Sequence, residues 1–230
     1  MKFNYLSMRK MKKYGILFGL ILLIIFSCKK KVIETDMGYD YFPTNIGHWA
    51  VYQVDSIYHD DFYFPSKYDS FQFQIKEIIE SEFFDNSGRL TQRIERYQRA
   101  NDTLPWVIKN VWVSNQTKTT AERVEENQRY VKLIFPPVLN QRWNGNNYNT
   151  IGEWEYKYTL VNEAYSISAF SFDSTLTVSQ EGQNDPIINS QYGTEVYAKH
   201  IGMVYKEYVF LNKQSDAGLE YKMKLIDYSH

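Results

Sequence analysis

The alternation of hydrophobic and polar residues along the chain has a period of two over most of its length. Segments such as HWAVYQVDSIY (48–58) and DSFQFQIKEIIE (69–80) place β-branched and aromatic side chains between polar ones. This period is typical of β-strands with one buried face, whereas long segments with the helical period of 3.6 are absent from the sequence. The pattern predicts strands at 48–58, 69–80, 89–98, 106–113, 119–125, 129–135, 153–161, 170–180, 194–198, 203–211 and 219–228.

Short turns separate several of these strands. The tripeptide at 86–88 ends in Gly88, which can adopt a positive φ, and the sequence predicts further turns at 126–128 and 215–218. Pro136 and Pro137 should end the strand before them, since proline cannot donate to a ladder. Segments 119–129 and 188–199 also contain good helix formers, and a short helix is the alternative there.

Strands joined by short turns at this spacing predict an all-β fold, a single antiparallel meander curled into a barrel or half-barrel. A β-sandwich is the alternative. No Pro-, Gly- or Ser-rich break interrupts residues 41–230, whose length suits one globular domain. The two longest predicted loops are 140–150 and 181–191, and functional residues often lie on such loops.

The N-terminal pattern is different. Five basic residues and no acid precede the apolar run at 14–26, which is well short of the roughly 20 residues that a spanning helix needs. The run ends at Ser27, a small residue of the kind that precedes signal-peptide cleavage. We therefore predict a signal peptide at 1–27, a tether at 28–40 and a globular domain at 41–230.

Ile25-Phe26-Ser27-Cys28 resembles the lipobox of bacterial lipoproteins. The resemblance implies that the chain is cut before Cys28, that its thiol is diacylated with palmitate-type chains, and that a signal peptide helix is removed. Two or more acyl chains give stable attachment to a membrane. Lys29 stands where an aspartate would resemble an inner-membrane retention signal, which favours the outer membrane, facing the periplasm.

Two further stretches, Tyr41-Phe42-Pro43 with the following GHWAVY (47–52) and YAKHIGMVYKE (197–207), resemble uncharacterised lipoproteins of the Bacteroidota type. This resemblance implies a β-rich envelope domain with no assigned activity. His200 stands where such proteins often look glycine-like, so a tighter or differently exposed turn is expected there.

Cleavage before Cys28 changes the charge of the chain. The precursor has a net charge of −1, but the mature chain has 21 Lys and Arg against 27 Asp and Glu. Without Lys29, Lys30 and Lys31 the body has a net charge of −9, which predicts no nucleic-acid binding because phosphate contact needs a basic surface. Cys28 is the only cysteine, so disulfides and a cysteine-based zinc site are excluded from the mature domain.

No catalytic, cofactor-binding or metal-ligating residue is predicted. The densest ligand-like cluster is His59-Asp60-Asp61 with Asp55 nearby, but adjacent residues on a strand point to opposite faces, and a solvated turn explains the run better. The sequence contains no nucleophile-elbow, zinc-protease or Walker motif. A glycosidase-like pair of carboxylates, assembled in space, is left open.

The abundant aromatic residues allow two interpretations. Tryptophans at 106, 112, 143 and 154 could fill the space between β layers, which is the commoner role, or could contact a sugar or apolar ligand. Trp143, in an Asn-rich loop, is the candidate ligand contact.

Three functional hypotheses are compatible with the sequence: a non-enzymatic envelope lipoprotein that has a structural role or binds an envelope protein or glycan, a carrier of a lipid or other apolar ligand in a β cavity, and a hydrolase.

Overall fold

The computed structural model describes residues 35–63, 67–182 and 187–229, and within this part the chain forms one antiparallel sheet of twelve strands. The strands are β1 (Trp49–Asp60), β2 (Lys67–Phe84), β3 (Leu90–Arg99), β4 (Val107–Gln116), β5 (Thr120–Glu125), β6 (Gln128–Ile134), β7 (Arg142–Asn144), β8 (Glu155–Ile167), β9 (Phe170–Glu181), β10 (Asn189–Ala198), β11 (Gly202–Asn212) and β12 (Gly218–Tyr228). A single turn of 3₁₀-helix at Tyr39–Tyr41 precedes them. The signal peptide and Cys28 lie outside the described residues.

The sheet is a meander in which chain neighbours pair, except at one place. Its order is β6-β5-β4-β3-β2-β1-β12-β11-β10-β9-β8-β7, so β1 pairs with β12 and the two edges are β6 and β7. The predicted all-β meander is therefore confirmed, and it curls into a nearly closed barrel. The sequence missed one strand, β7, which is only three residues long and lies in the predicted loop 140–150.

The two edge strands meet at a seam that is closed without a regular ladder. The backbone N–H of Val131 in β6 donates to the carbonyl of Gly145, just after β7, over 2.8 Å. The Trp143 indole also donates to the carbonyl of Val131. Across the same gap, the Tyr158 hydroxyl bonds to both the N–H and the carbonyl of Ile134. One backbone hydrogen bond and the side chains of Trp143 and Tyr158 thus stand in for the ladder that a continuous sheet would supply.

The predicted turns are confirmed. Gly88 has a φ of 72°, and Glu126 and Asn127 have φ of 46° and 65°, as a primed two-residue hairpin turn requires. The segments for which a helix was the alternative are both strands, β5–β6 and β10. His200 also has a positive φ, 66°, a conformation that glycine adopts more readily than histidine. The strand before Pro136 and Pro137 ends at residue 134.

Residues 36–42 cover one end of the barrel, which we call the closed end. The connections that follow β2, β4, β6, β8 and β10 lie at this end. The side-chain amide of Gln116 donates a hydrogen bond to the carbonyl of Tyr39. The hydroxyl of Tyr39 donates in turn to the carbonyl of Lys118. The backbone N–H of His200 donates to the carbonyl of Asp40. Residues 36–40, assigned to the tether from sequence, are therefore packed against the barrel.

Tyr41 anchors this cover in the core. Its side chain is fully buried, and its hydroxyl hydrogen-bonds to Asn162 of β8 and Ser174 of β9, each over 2.6 Å. Phe42 follows it at 5% exposure. Gly38 permits this segment to pack closely, because a Cβ at this position would lie 2.7 Å from the ring of Pro137.

The opposite end of the barrel, with the connections after β1, β3, β5, β7, β9 and β11, is the open end.

Candidate cavity and its buried charges

The open end contains a cavity of about 470 Å³. Its wall is built from both halves of the chain, with Trp112 on β4 and Arg123 on β5 facing Tyr156 on β8 and Lys206 on β11. These positions face inward because side chains alternate along a strand, so one face of every strand lines the interior. The volume lies within the range of roughly 300–1,000 Å³ that is typical of small-molecule sites.

Aromatic rings form one part of the wall. Trp154 packs edge-on against Tyr156 and Tyr208, with ring centroids 5.9 and 5.8 Å apart. The wall also includes Tyr130 and Tyr221. Such rings offer flat apolar surface to a ligand while holding one another in place.

A buried ion network lies at the bottom of the cavity. Glu195 is completely buried, and its carboxylate contacts Lys132 Nζ at 2.6 Å and Lys206 Nζ at 3.3 Å. Glu125 approaches the same two ammonium groups at 3.5 and 3.8 Å, and Tyr197 donates a hydrogen bond to Glu195. Burial raises the pKa of Glu195, but Lys132 and Lys206 outweigh burial and leave the pKa below its ordinary value.

A second network lies on the β2–β5 side. Glu77 accepts from Arg96 at 2.8 Å and from Arg123 at 3.0 Å. The Arg96 guanidinium also lies 3.5 Å from the centre of the Trp112 ring, a cation–π contact. Burial raises the pKa of Glu77, yet the two guanidinium groups lower it overall. Both networks therefore hold their carboxylates ionised.

Three N–H groups in the cavity wall have no partner within the described part of the chain. They are Arg123 Nε, Trp154 Nε1 and Gln180 Nε2, and each atom is shielded from solvent. The Gln180 side chain is only 3% exposed. Gly193 leaves room for it, because a Cβ at position 193 would lie 2.7 Å from the amide oxygen of Gln180. An unpaired buried donor costs about 1–3 kcal/mol, so three in one wall are an unusual concentration.

The residues of the cavity could not be identified from the sequence. Lys132 is an example, because a local irregularity in strand pairing determines where its side chain points. The register of β5 and β6 pairs Ala121 with Leu133 and Glu122 with Val131, so Lys132 is skipped. A β-bulge of this kind re-aims a side chain, and here the bulged lysine lines the cavity. Strict alternation would give Lys132 and Leu133 opposite faces. The one available signal was a lysine enclosed by the apolar run YVKLIF.

The structure places Trp143 at the seam. Its ring packs against Tyr156 and Tyr158 at 5.8 and 4.7 Å between centroids, and its indole N–H is occupied by the carbonyl of Val131. It is not among the residues that line the cavity. Ligand contact by Trp143 stays a prediction, as does acylation of Cys28, which lies outside the described residues.

The His59-Asp60-Asp61 cluster does not converge. His59 bonds to Glu220 at 3.0 Å, whereas Asp60 accepts from the backbone N–H of Phe62. Asp55 accepts from Gln72. Over residues 35–63, 67–182 and 187–229, no group of three or more His, Cys, Asp and Glu side chains is placed to hold a metal ion. The described residues also include no helix with the length and hydrophobicity needed to cross a membrane.

Comparison with known proteins gives two solved structures. One is a predicted exported protein with a YmcC-like fold from Bacteroides fragilis, with a TM-score of 0.45 and 12% identity over 82% of this chain and 98% of that one. The other is a predicted lipoprotein from Parabacteroides distasonis, with a TM-score of 0.41 and the same identity and coverage. No family model and no curated protein sequence matches the chain.

Proposed function

We propose that this protein is a non-enzymatic ligand-binding lipoprotein of the cell envelope, which takes a small molecule into the cavity at the open end of its barrel. The observation that carries this proposal is the 470 Å³ cavity, which has an aromatic wall and a bottom of fixed charges. A barrel that served only as a spacer would have no need of an interior site of this size and polarity.

The envelope location rests on the sequence signal. The apolar run at 14–26 and the lipobox-like residues 25–28 support lipid attachment through Cys28, in the outer membrane facing the periplasm. Exposed side chains on the outside of the barrel leave room for a second, macromolecular partner, an envelope protein or glycan.

The two other hypotheses fit the cavity less well. A carrier of purely apolar ligands would bury a lipid against Glu77, Glu125 and their cationic partners, which favours polar ligands instead. A hydrolase of the glycosidase type needs one carboxylic acid with a raised pKa. Glu125 and Glu195 share two lysines, and these lower the pKa of both carboxyls against the effect of burial.

The test is native mass spectrometry of the full chain, extracted from its own membranes in mild detergent. We expect the wild type to retain a bound small molecule and Leu219→Trp to lose it, because Leu219 lines the cavity and the larger ring would occupy the ligand's volume. Leu139→Trp is the matched control, since Leu139 is 54% exposed on the connection after β6 at the closed end.

Circular dichroism establishes that all three proteins are folded. Equal retention by the wild type and both variants would place the ligand elsewhere and contradict the proposal. A bare protein in all three preparations would contradict it as well.

A further inference from the structure

The unpaired groups of the cavity wall are all of one kind. Arg123 Nε, Trp154 Nε1 and Gln180 Nε2 are hydrogen-bond donors, and the described lining residues contribute no buried side-chain acceptor that lacks a partner. Gln180 lies beside Tyr156 in the sheet, and Trp154 packs on the same tyrosine, so two of the donors share one side of the wall. A complementary ligand must therefore supply acceptors.

The charge of the wall points in the same direction. Among the described lining residues, five are cationic and three acidic, namely Arg96, Lys109, Arg123, Lys132 and Lys206 against Glu77, Glu125 and Glu126. Counting Glu195, which pairs with two of the lysines, still leaves a cationic excess. The body of the protein carries the opposite charge, −9, so this excess is local to the cavity.

The cations of the wall are held in fixed positions. Arg96 is stacked on Trp112 and bonded to Glu77, and Arg123 directs Nη1 to the same carboxylate, which leaves its Nε unpaired. Fixed donors of this kind recognise an anion at low entropic cost, because they need no reordering when it binds.

We infer that the cavity binds an organic oxyanion, a carboxylate or phosphate group on a ring-shaped body, whose oxygens accept from Arg123, Trp154 and Gln180 while the ring packs among the aromatic side chains. This inference rests on the proposed function and adds the chemical class of the ligand. Carboxylate and phosphate present the same chemistry to these donors, and the experiment separates them.

The test is isothermal titration calorimetry of the full chain in maltoside micelles with four probes that share one ring system. The probes are 2-naphthyl phosphate, 2-naphthoate, 2-naphthylmethanol and 2-naphthylmethylammonium. We expect at least one anion to bind about tenfold more tightly than the alcohol, a difference of about 1.4 kcal/mol, and the cation to bind most weakly. The better anion identifies the preferred head group.

Conservative variants then test the assigned donors. Trp154→Phe keeps a ring but removes the unpaired N–H, and Gln180→Met keeps a side chain of similar length without its amide. Each should weaken binding of the preferred anion about tenfold and leave the alcohol unchanged. Trp49→Phe and Gln92→Met are the matched controls, because these residues are not among those that line the cavity, and neither should change anion affinity.

The outcomes distinguish the anionic class of the ligand from the proposal that the cavity binds a small molecule at all. Equal binding of all four probes, or equal loss of anion and alcohol in Trp154→Phe and Gln180→Met, would overturn the anion assignment and leave a cavity that binds ligands. A neutral or cationic molecule retained in native mass spectrometry would do the same. Anion binding that survives in Leu219→Trp would place the anion outside the cavity and overturn the inference.

Discussion

The two ends of the barrel bury polar groups in different ways. At the closed end the Tyr41 hydroxyl fixes the chain by bonding to Asn162 and Ser174. Among the described residues, the buried side-chain atoms that lack a partner toward this end are oxygens, those of Gln92, Ser114 and Gln141. At the open end most of the charges are paired with one another, but Arg123, Trp154 and Gln180 keep unpaired donors. The first arrangement secures a fold, and the second leaves a wall ready to donate hydrogen bonds to a ligand.

The cost of the two arrangements also differs. Neutral hydrogen bonds at the closed end each contribute about 1 kcal/mol. Buried ion pairs at the open end add little net stability, since desolvation offsets attraction, but removing one partner leaves an uncompensated charge. The open end should therefore be the more sensitive to a single substitution.

The largest expected effect comes from breaking the ion network. Glu195→Ala should lower the free energy of unfolding by about 3–5 kcal/mol, because Lys132 and Lys206 lose a fully buried partner. Glu207→Ala is the control, since its pair with Lys222 is partly exposed and should be worth about 0–1 kcal/mol. Urea unfolding measures both variants. Similar losses would show that the buried network is no more sensitive than a surface pair.

A smaller effect is expected at the closed end, from the cover of residues 36–42. Gly38→Ala should destabilise by about 2 kcal/mol, because the new methyl group meets Pro137 and the backbone has a φ of 73°. Gly47→Ala shares the positive φ, 86°, but its Cβ would meet nothing within 4 Å, so about 1 kcal/mol is expected. Thermal unfolding compares them. If Gly47→Ala is as destabilising as Gly38→Ala, close packing of the cover contributes nothing.

The smallest expected effect is the change in the free energy of unfolding with pH near neutrality. Glu77, Glu125 and Glu195 have lowered pKa values in the folded state, since their cationic partners outweigh burial. Groups of this kind stabilise the fold above the ordinary glutamate pKa of 4.5, and the stabilisation is lost as pH falls below it. Their contribution to the free energy of unfolding should thus be level from pH 8 to 6 and fall steeply below 4.5. Burial lowers the pKa of His48, so stability should already begin to decline below its ordinary value of 6.5.

Two variants sharpen this dependence. Glu195→Gln removes one of the titrating carboxyls at the open end, so its stability should fall less between pH 4.5 and 3 than that of the wild type. Asp36→Asn removes an exposed carboxylate at the closed end that pairs with Lys199, and its profile should follow the wild type closely. A Glu195→Gln profile as steep as the wild type would assign acid sensitivity to other groups.

The sequence predicted the strands well because each has one buried face, and alternation shows this directly. It could not show β7, since three residues are too few for a period, and β7 is fixed by its pairing with β8. It also could not show that Lys132 faces the interior, because a bulge breaks the alternation there. Trp154 was one of four tryptophans that could fill the core or contact a ligand, and its role in a cavity depends on strands far away in the chain.

The seam between β6 and β7 divides the barrel into two halves, β1–β6 and β7–β12, each built from pairings between chain neighbours. The ladder between β1 and β12 joins them opposite the seam. Arg123 belongs to the first half, whereas Trp154 and Gln180 belong to the second. A molecule held by all three would work as a non-covalent staple, joining the halves from inside on the side where no regular ladder connects them.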